Sequence, residues 1–510
     1  MIKSIYILIA FLTVLSIQIT YGSNGEFKKV NIEGDITSVQ PMTGIVLWNG
    51  ENASTDAISL EFSYMLFNDI VNNEGEYNWD AVEELLTEIS SRKHQAILRF
   101  RYTYVGKQTS VPDYIKKRDD YSETKGISEG RETWFPDWTN EELKRFTLEF
   151  YQKFSEKYDK DPRIAFLQVG FGLWGEYHIY DGPFELGVTF PSKKFQELFF
   201  YHLDSVFTET PWSISIDAAD DNYSPFSVDE ELMKLDFGNF DDSFMHENHS
   251  GYNASCWSFF DNGRYRYSPA GGEFSYYTTY DQKHVLDLPN GAHGKSYEEM
   301  ARKFKISYII GNDQSKYQTI DRIKEAGIAT GYKFKIIDAQ TDGINTYVTI
   351  KNIGTAPIYY DAYPAINSIR SDVSLIGLVS GEQRQFVINE PWSEEKSSFE
   401  IECDRLVAGR KIEYYGTQSS NGKFSNEEVE EKPQTLIYPT TIKNGDNVTI
   451  ITNIQDNRTA KIFNINGDLL DEIDIIKRIE YSTASLSLGH YFLSLEDERG
   501  VIGSQIFIVY

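Results

Sequence analysis

The stretch Ile164-Ala165-Phe166-Leu167-Gln168-Val169-Gly170-Phe171-Gly172-Leu173-Trp174-Gly175-Glu176-Tyr177-His178 passes from an apolar run into a glycine-rich turn carrying an indole, a carboxyl group and an imidazole. A short apolar run bounded by turn residues reads as a strand buried on both faces. Reactive side chains directly after such a strand are what a parallel α/β sheet places at its functional edge.

Seven other runs share this character: Gly44 to Trp48, Leu60 to Phe67, Ala96 to Tyr102, Ser213 to Asp217, Phe237 to Phe244, Ala270 to Phe274 and Ser307 to Gly311. Amphipathic helical patterns lie between them, so residues 36–330 read as repeated β/α units. Eight strands are the number that closes a (β/α)8 barrel of the TIM type. The sixth and seventh runs are the least marked, and a doubly wound sheet would share the alternation.

Capping boxes are expected at Thr139 with Glu142, Ser227 with Glu230, and Ser296 with Glu299, since Ser or Thr and a Glu three residues on satisfy exposed helix amides reciprocally. After Thr139, the residues Leu143, Phe146, Phe150 and Phe154 recur at spacings of three or four and predict one buried helix face.

Beyond Gly331 the period shortens to two. Tyr332 to Ile337 and Tyr347 to Lys351, with turns at Asp342-Gly343 and Asn352-Ile353-Gly354, predict a β-sandwich over 331–415. The acidic stretch Gln418 to Gln434 lacks apolar periodicity, and 416–435 reads as a linker. A second set of short strands fills 436–510, including Val448 to Thr452, Ala460 to Asn464, Tyr491 to Leu495 and Gln505 to Val509.

The formal charge is −28 in 510 residues, with no compensating Lys and Arg cluster, which argues against a nucleic-acid partner. Only Cys256 and Cys403 are present. They exclude a thiolate metal centre and leave one disulfide or two buried free thiols, the latter being expected. At the N-terminus, Lys3 precedes the apolar stretch Ile5 to Ile17, which is shorter than the ~20 residues that span a bilayer. Residues 1–22 therefore read as a secretory signal cleaved near Gly22, and no membrane span is expected in the mature protein.

The segments Ile437-Tyr438-Pro439-Thr440, Ala460-Lys461-Ile462-Phe463-Asn464-Ile465-Asn466-Gly467 and Gly489-His490-Tyr491-Phe492-Leu493 resemble, in that order, the C-terminal sorting domain of the type IX secretion system. Thr440 stands where that pattern usually has Asn. The resemblance implies the type IX machinery as a partner, and passage through the periplasm to release or to the outer cell surface.

Chemistry is sought at the strand ends. Glu176 follows three glycines and stands next but one to Trp174, so burial against the indole is expected to raise its pKa toward that of a working acid. Pairing with Arg99 or Arg101 is the plainer reading of the same residue. Glu273, in Pro269-Ala270-Gly271-Gly272-Glu273-Phe274, is the expected second carboxyl group. Glycoside hydrolysis needs one group to protonate the leaving oxygen and another to attack or activate water.

Further candidates for binding a polyol are Trp48, Arg99, Arg101, Tyr102, Trp174, His178, Asp217, His246, Glu247, Trp257 and Asn312. Arg99 and Arg101 point to one side of a strand, where a barrel interior requires acidic partners, or where they could clamp an acidic sugar. His246-Glu247-Asn248-His249 lacks the His-Glu-x-x-His spacing of a zinc protease, and no catalytic metal or other cofactor is expected.

The segments Glu74 to Trp79, Asp161 to Gly170, Leu173-Trp174-Gly175-Glu176, Gly271-Gly272-Glu273 and Val348 to Pro357 resemble domain of unknown function 4832 over about residues 40–410. That family is similar in outline to glycosidases with a barrel followed by a sandwich, and the resemblance implies carbohydrate as the substrate class. In barrel glycosidases of the broad retaining clan the acid after the fourth strand usually follows Asn; here Gly175 precedes Glu176. Two expectations result: a secreted glycoside hydrolase with Glu176 as acid and Glu273 as nucleophile or base, or a carbohydrate-binding or adhesive surface protein on a barrel without catalysis. A structural matrix protein is the third.

Overall fold

The computed structural model describes residues 27–418, 435–438, 441–452, 458–464, 468–475, 478–497 and 500–509. The expected signal peptide and all but the ends of the expected linker lie outside the described residues. The chain divides into two compact units, residues up to 419 and residues from 420 onward.

Eight strands close a barrel in chain order: β1 (Gly44–Trp48), β2 (Leu60–Leu66), β3 (Gln95–Arg101), β4 (Ile164–Val169), β5 (Trp212–Ser215), β6 (Phe237–Phe244), β7 (Ala270–Phe274) and β8 (Ile306–Ile310). Every neighbouring pair is parallel, including the closing pair of β8 with β1. The apolar runs thus coincide with the barrel strands to within two residues at either end, the two least marked ones included. A doubly wound sheet is excluded, because closure leaves no edge.

Period two sorts the side chains of each strand. On β3, Ala96, Leu98 and Phe100 pack outward under the helices, while Arg99 points into the barrel. The helix α1 (Glu141–Tyr158) buries Leu143, Phe146, Phe150 and Phe154 at 0–1% exposure, as the spacing predicts. Its cap is displaced by one residue: Asn140 accepts from the Leu143 amide, and Thr139 instead donates to Asp137. Ser227 caps nothing, because the short helix that follows begins at Glu230 with Asp229 as its cap. Ser296 and Glu299 form the expected capping box.

Phe334–Thr341 and Thr346–Asn352 pair antiparallel across the Asp342-Gly343 turn, and Gln383–Ile388 extends the sheet. Lys28–Lys29 and Tyr414–Tyr415 add its outer strands. A second sheet of Tyr363–Ile366, Ile369–Arg370 and Phe399–Glu402 completes the sandwich. This domain closes the lower end of the barrel. Tyr360 donates to the Ala165 carbonyl, and Arg405 donates to the Asp159 carbonyl at 3.0 Å.

The unit from 420 onward has a three-stranded and a five-stranded sheet, with Val448, Ile450, Ala460, Ile462, Leu493 and Phe507 buried between them. The four strands expected there all fall within its sheets. Cys256 and Cys403 are both free, the first buried and the second partly exposed. Among the described residues no helix is long and apolar enough to cross a membrane.

Candidate functional site

A cavity of about 990 Å³ opens at the C-terminal ends of the barrel strands. Its floor is assembled inside the barrel. Arg99, fully buried, donates through Nε and Nη2 to Gln168 Oε1 at 2.9 and 2.6 Å, and through Nη1 to Glu176 Oε1 at 2.7 Å. Its guanidinium lies 4.5 Å from the Phe240 ring centroid. Gln168 donates in turn to the Tyr308 hydroxyl. A buried guanidinium needs such company, since desolvation of an unpaired charge costs several kcal/mol.

Two local conformations deliver the glutamates. After β4 the chain turns back on itself, with Trp174 (φ 56°) and Gly175 (φ 70°) both left-handed, and the Glu176 carbonyl accepts from the Phe171 and Gly172 amides. On β7, Gly271 and Glu273 face the same way by strand parity. A Cβ at position 271 would come within 2.2 Å of the Tyr308 ring, so the glycine gives that ring its place in the barrel interior.

Above the floor, Glu176, Asp217, Asp242 and Glu273 all face the cavity. Glu273 is 8% exposed. Burial first, and the charge of Glu176 second, push its carboxyl group up to about 8, against the opposing pull of Arg99. The burial-raised glutamate is therefore Glu273, whereas the residue expected to be the acid, Glu176, is ion-paired with Arg99. Asp242 is also raised, by burial and then by Asp217 and Glu176.

His178 binds Asp217 Oδ2 through Nδ1 at 2.5 Å and approaches Glu176 Oε2 through Nε2 at 3.7 Å. Burial opposes its cation, but the hydrogen bond and charge of Asp217 outweigh burial and its pKa is raised. Glu176, His178 and Asp242 each offer a ligand atom within 4.8 Å of the others, close enough to hold one divalent cation.

Aromatic rings wall one side. Trp48, Tyr64, Tyr104, Trp174 and Tyr180 follow one another with centroid separations of 5.6, 5.7, 6.5 and 6.2 Å. Asn312 Oδ1 accepts from the Trp48 amide at 3.2 Å and ties that end of the wall to the loop after β8. Tyr252, Tyr276 and Tyr277 stand at the mouth, each about half exposed or more.

Of the residues singled out in the sequence, Trp48, Trp174, Glu176, His178, Asp217, Glu273 and Asn312 line this cavity. The others do not. Arg99 lies beneath the floor. Arg101 packs over Tyr104 and Tyr64 at 4.4 and 5.6 Å, so the contacts it makes are with rings rather than with the expected acids, and neither arginine lines the cavity. Tyr102 has the outward parity of its strand, is 2% exposed, and binds Thr147 behind the barrel wall. Trp257 donates to Asp241 Oδ2 at 2.9 Å, and His246 binds Asn253, in a network outside the cavity. Glu247, exposed on the same loop, does not line it either.

Asp242, Tyr64 and Tyr104 were not singled out. Tyr64 has the parity of Phe62 within an apolar run and stands near its C-terminal end, a signal that strand-end reasoning could have used. Asp241-Asp242 gave no such signal. Only the fold shows that Asp241 faces outward to His249, Trp257 and Asn253, while Asp242 faces inward. A smaller cavity of about 600 Å³ lies in the sandwich, lined largely by Phe399 to Cys403 and Leu406 to Tyr414.

No family model matches the chain, and no curated protein matches it. Solved structures with a similar fold include the galactosidase domain of the alpha-galactosidase-sucrose kinase AgaSK (12% identity, 71% of this chain and 56% of that chain, TM-score 0.31). They also include an alpha-galactosidase from Thermus thermophilus (12%, 62% and 66%, TM-score 0.35) and an endo-1,4-beta-xylanase from Caldicellulosiruptor owensensis (9%, 53% and 84%, TM-score 0.32). The chain thus spans little more than half of the AgaSK galactosidase domain. These likenesses are distant, and the fold class rests on the closure of the barrel itself.

Proposed function

We infer that this protein is a glycoside hydrolase acting on an oligo- or polysaccharide. The observation that carries the reading is a cavity at the barrel's C-terminal face that is walled by aromatic rings and holds both a glutamate ion-paired to Arg99 and a second glutamate whose carboxyl group burial pushes up to about 8. Hydrolysis of a glycosidic bond uses these two states together: an acid to protonate the leaving oxygen, and a carboxylate to attack or to activate water. Glu273 takes the acid role and Glu176 the carboxylate role, the reverse of the assignment that the neighbouring indole suggests. The rings of Trp48, Trp174 and their neighbours offer apolar faces for sugar stacking.

Asp242 is a second candidate for the acid, favoured by its oxygen lying within 4.8 Å of one on Glu176.

Release of reducing ends from a panel of algal, plant and host glycans tests the reading. Glu176→Gln is expected to abolish release while the protein stays folded. Unchanged release would end the assignment. Stacking of glycans without any cleavage would favour a carbohydrate-binding surface protein on the same barrel. Export through the periplasm, directed by the N-terminal signal and by the type IX sorting resemblance, completes the proposal. Removing residues 436–510 is expected to leave the protein in the periplasm of its own bacterium.

A further inference from the structure

The polar lining of this cavity is biased in charge. Seven carboxyl groups face it, those of Glu129, Asp220 and Asp313 standing at the rim above the four deep ones, and no Lys or Arg side chain lines it among the described residues. Arg99 is engaged by Gln168 and Glu176, and Lys316 pairs with Asp313. Two of these carboxyl groups keep an oxygen outside any hydrogen bond among the described residues. Glu273, more than nine-tenths buried and facing the cavity, has no hydrogen bond or ion pair among the described residues. Asp242 Oδ2 is buried without a hydrogen-bond partner, with His178 Nδ1 as an ionic neighbour at 3.5 Å.

A ligand that fits must bring donors and positive charge. A uronate or sulfated sugar would bury its own anion against these carboxyl groups with only His178, already bound to Asp217, to meet it, which does not offset the desolvation and repulsion of the surrounding acids. A neutral sugar brings hydroxyl donors but leaves the excess of acceptors in place. A protonated amine pairs with these carboxyl groups, favouring loss of the proton from Glu273 or Asp242 where it meets them, and is also attracted to the faces of aromatic rings within about 6 Å. The wall from Trp48 to Tyr180 supplies such rings. A bare metal ion would use the carboxylates and not the rings.

We propose that the cavity selects an amino sugar, a hexosamine whose amine is free and protonated, over its N-acetylated, neutral and acidic counterparts. This rests on the reading of the cavity as a sugar site, though not on cleavage.

Calorimetric titration of the full chain with matched tetrasaccharides tests it, in a β-1,4-gluco and an α-1,4-galacto series, each bearing at C2 or C6 an amine, an N-acetyl group, a plain hydroxyl or a carboxylate. In at least one series the amine is expected to bind tenfold or more tightly than each counterpart, with affinity falling as salt rises. The triple variant Glu129→Gln/Asp220→Asn/Asp313→Asn, which leaves Glu176, Asp242 and Glu273 in place, should narrow that preference several-fold. Equal or tighter binding of the neutral or acidic member, or no binding of the amine in either series, overturns the proposal. So does binding of Ca²⁺, Mg²⁺ or Zn²⁺ alone with indifference to the amine. Tight amine binding without cleavage upholds the proposal and sinks the hydrolase reading; cleavage of neutral glycans with no amine preference does the opposite.

Discussion

Glu273 stands at the end of a strand behind two glycines, with Arg99 and Tyr308 inside the barrel and no hydrogen-bonding partner among the described residues. Its folded pKa of about 8 against an ordinary 4.5 has two consequences. If Glu273 is the proton donor, activity falls as pH rises through about 8, and Glu273→Gln removes that limb together with most of the rate. If Asp242→Asn removes the limb instead, the donor is Asp242. For stability, the folded protein holds the Glu273 proton across the window from 4.5 to 8 while the unfolded chain has released it. The folded state therefore binds more protons there, and stability drops as pH rises through the window. Glu273→Gln is expected to gain a few degrees of Tm over the unsubstituted protein at about pH 8 and nothing at about pH 4; melting curves that differ equally at both values would refute this.

Arg99 makes the opposite case. It is fully buried and its charge is matched by Glu176. Arg99→Met strands that carboxylate in the interior, for which about 3–5 kcal/mol is the usual cost, measurable as a lower denaturation midpoint with an unchanged denaturant slope. A milder loss would show that water reaches Glu176 more freely than its burial implies.

At the scale of elements, β7 and the loop after β4 rely on small residues because something else must occupy the space. Gly271→Ala drives a methyl group into the Tyr308 ring, since a Cβ there would lie only 2.2 Å from it, and overpacking of this kind costs about 1–3 kcal/mol. A second substitution, Tyr308→Leu, should restore part of the loss if the ring is the obstacle, and chemical denaturation of the single and double variants measures the coupling. On β6 the alternation does different work on its two faces. Asp241 accepts from His249, Trp257 and Asn253 behind the wall, which fixes the strand from which Asp242 reaches inward.

For the whole molecule, the division at residue 419 separates a barrel that shares its lower end with the sandwich from a C-terminal unit with its own core. Tyr360 and Arg405 tie barrel and sandwich together through hydrogen bonds, so these two are expected to unfold as one. A chain ending at residue 418 should keep the barrel's thermal transition within about 2 °C of the full chain's, as expected when the barrel's own core is left whole. A large drop would mean that the C-terminal unit supports the barrel.

Most of the architecture was legible in the order of residues. Hydrophobic period separates strand from helix locally, so eight apolar runs marked eight barrel strands, and a change to period two at Gly331 marked the sandwich. Strand ends could be read too, which is why Glu176, Glu273, Trp48 and Asn312 stood out. What a side chain meets across the barrel has no local signature. Tyr102 and Arg101 sit one residue apart on a sequence pattern that looks alike for both, yet parity sends one behind the wall and the other toward the rings of Tyr64 and Tyr104. Asp241 and Asp242 are chemically the same residue in sequence, and only the closed barrel assigns one to the helix behind it and the other to the cavity. The surroundings of the two glutamates are likewise a tertiary property: a charge from β3, distant in sequence, pairs with Glu176, while burial dominates at Glu273. Periodicity is short-ranged and survives in one dimension; electrostatic environment is set by neighbours that only folding brings together.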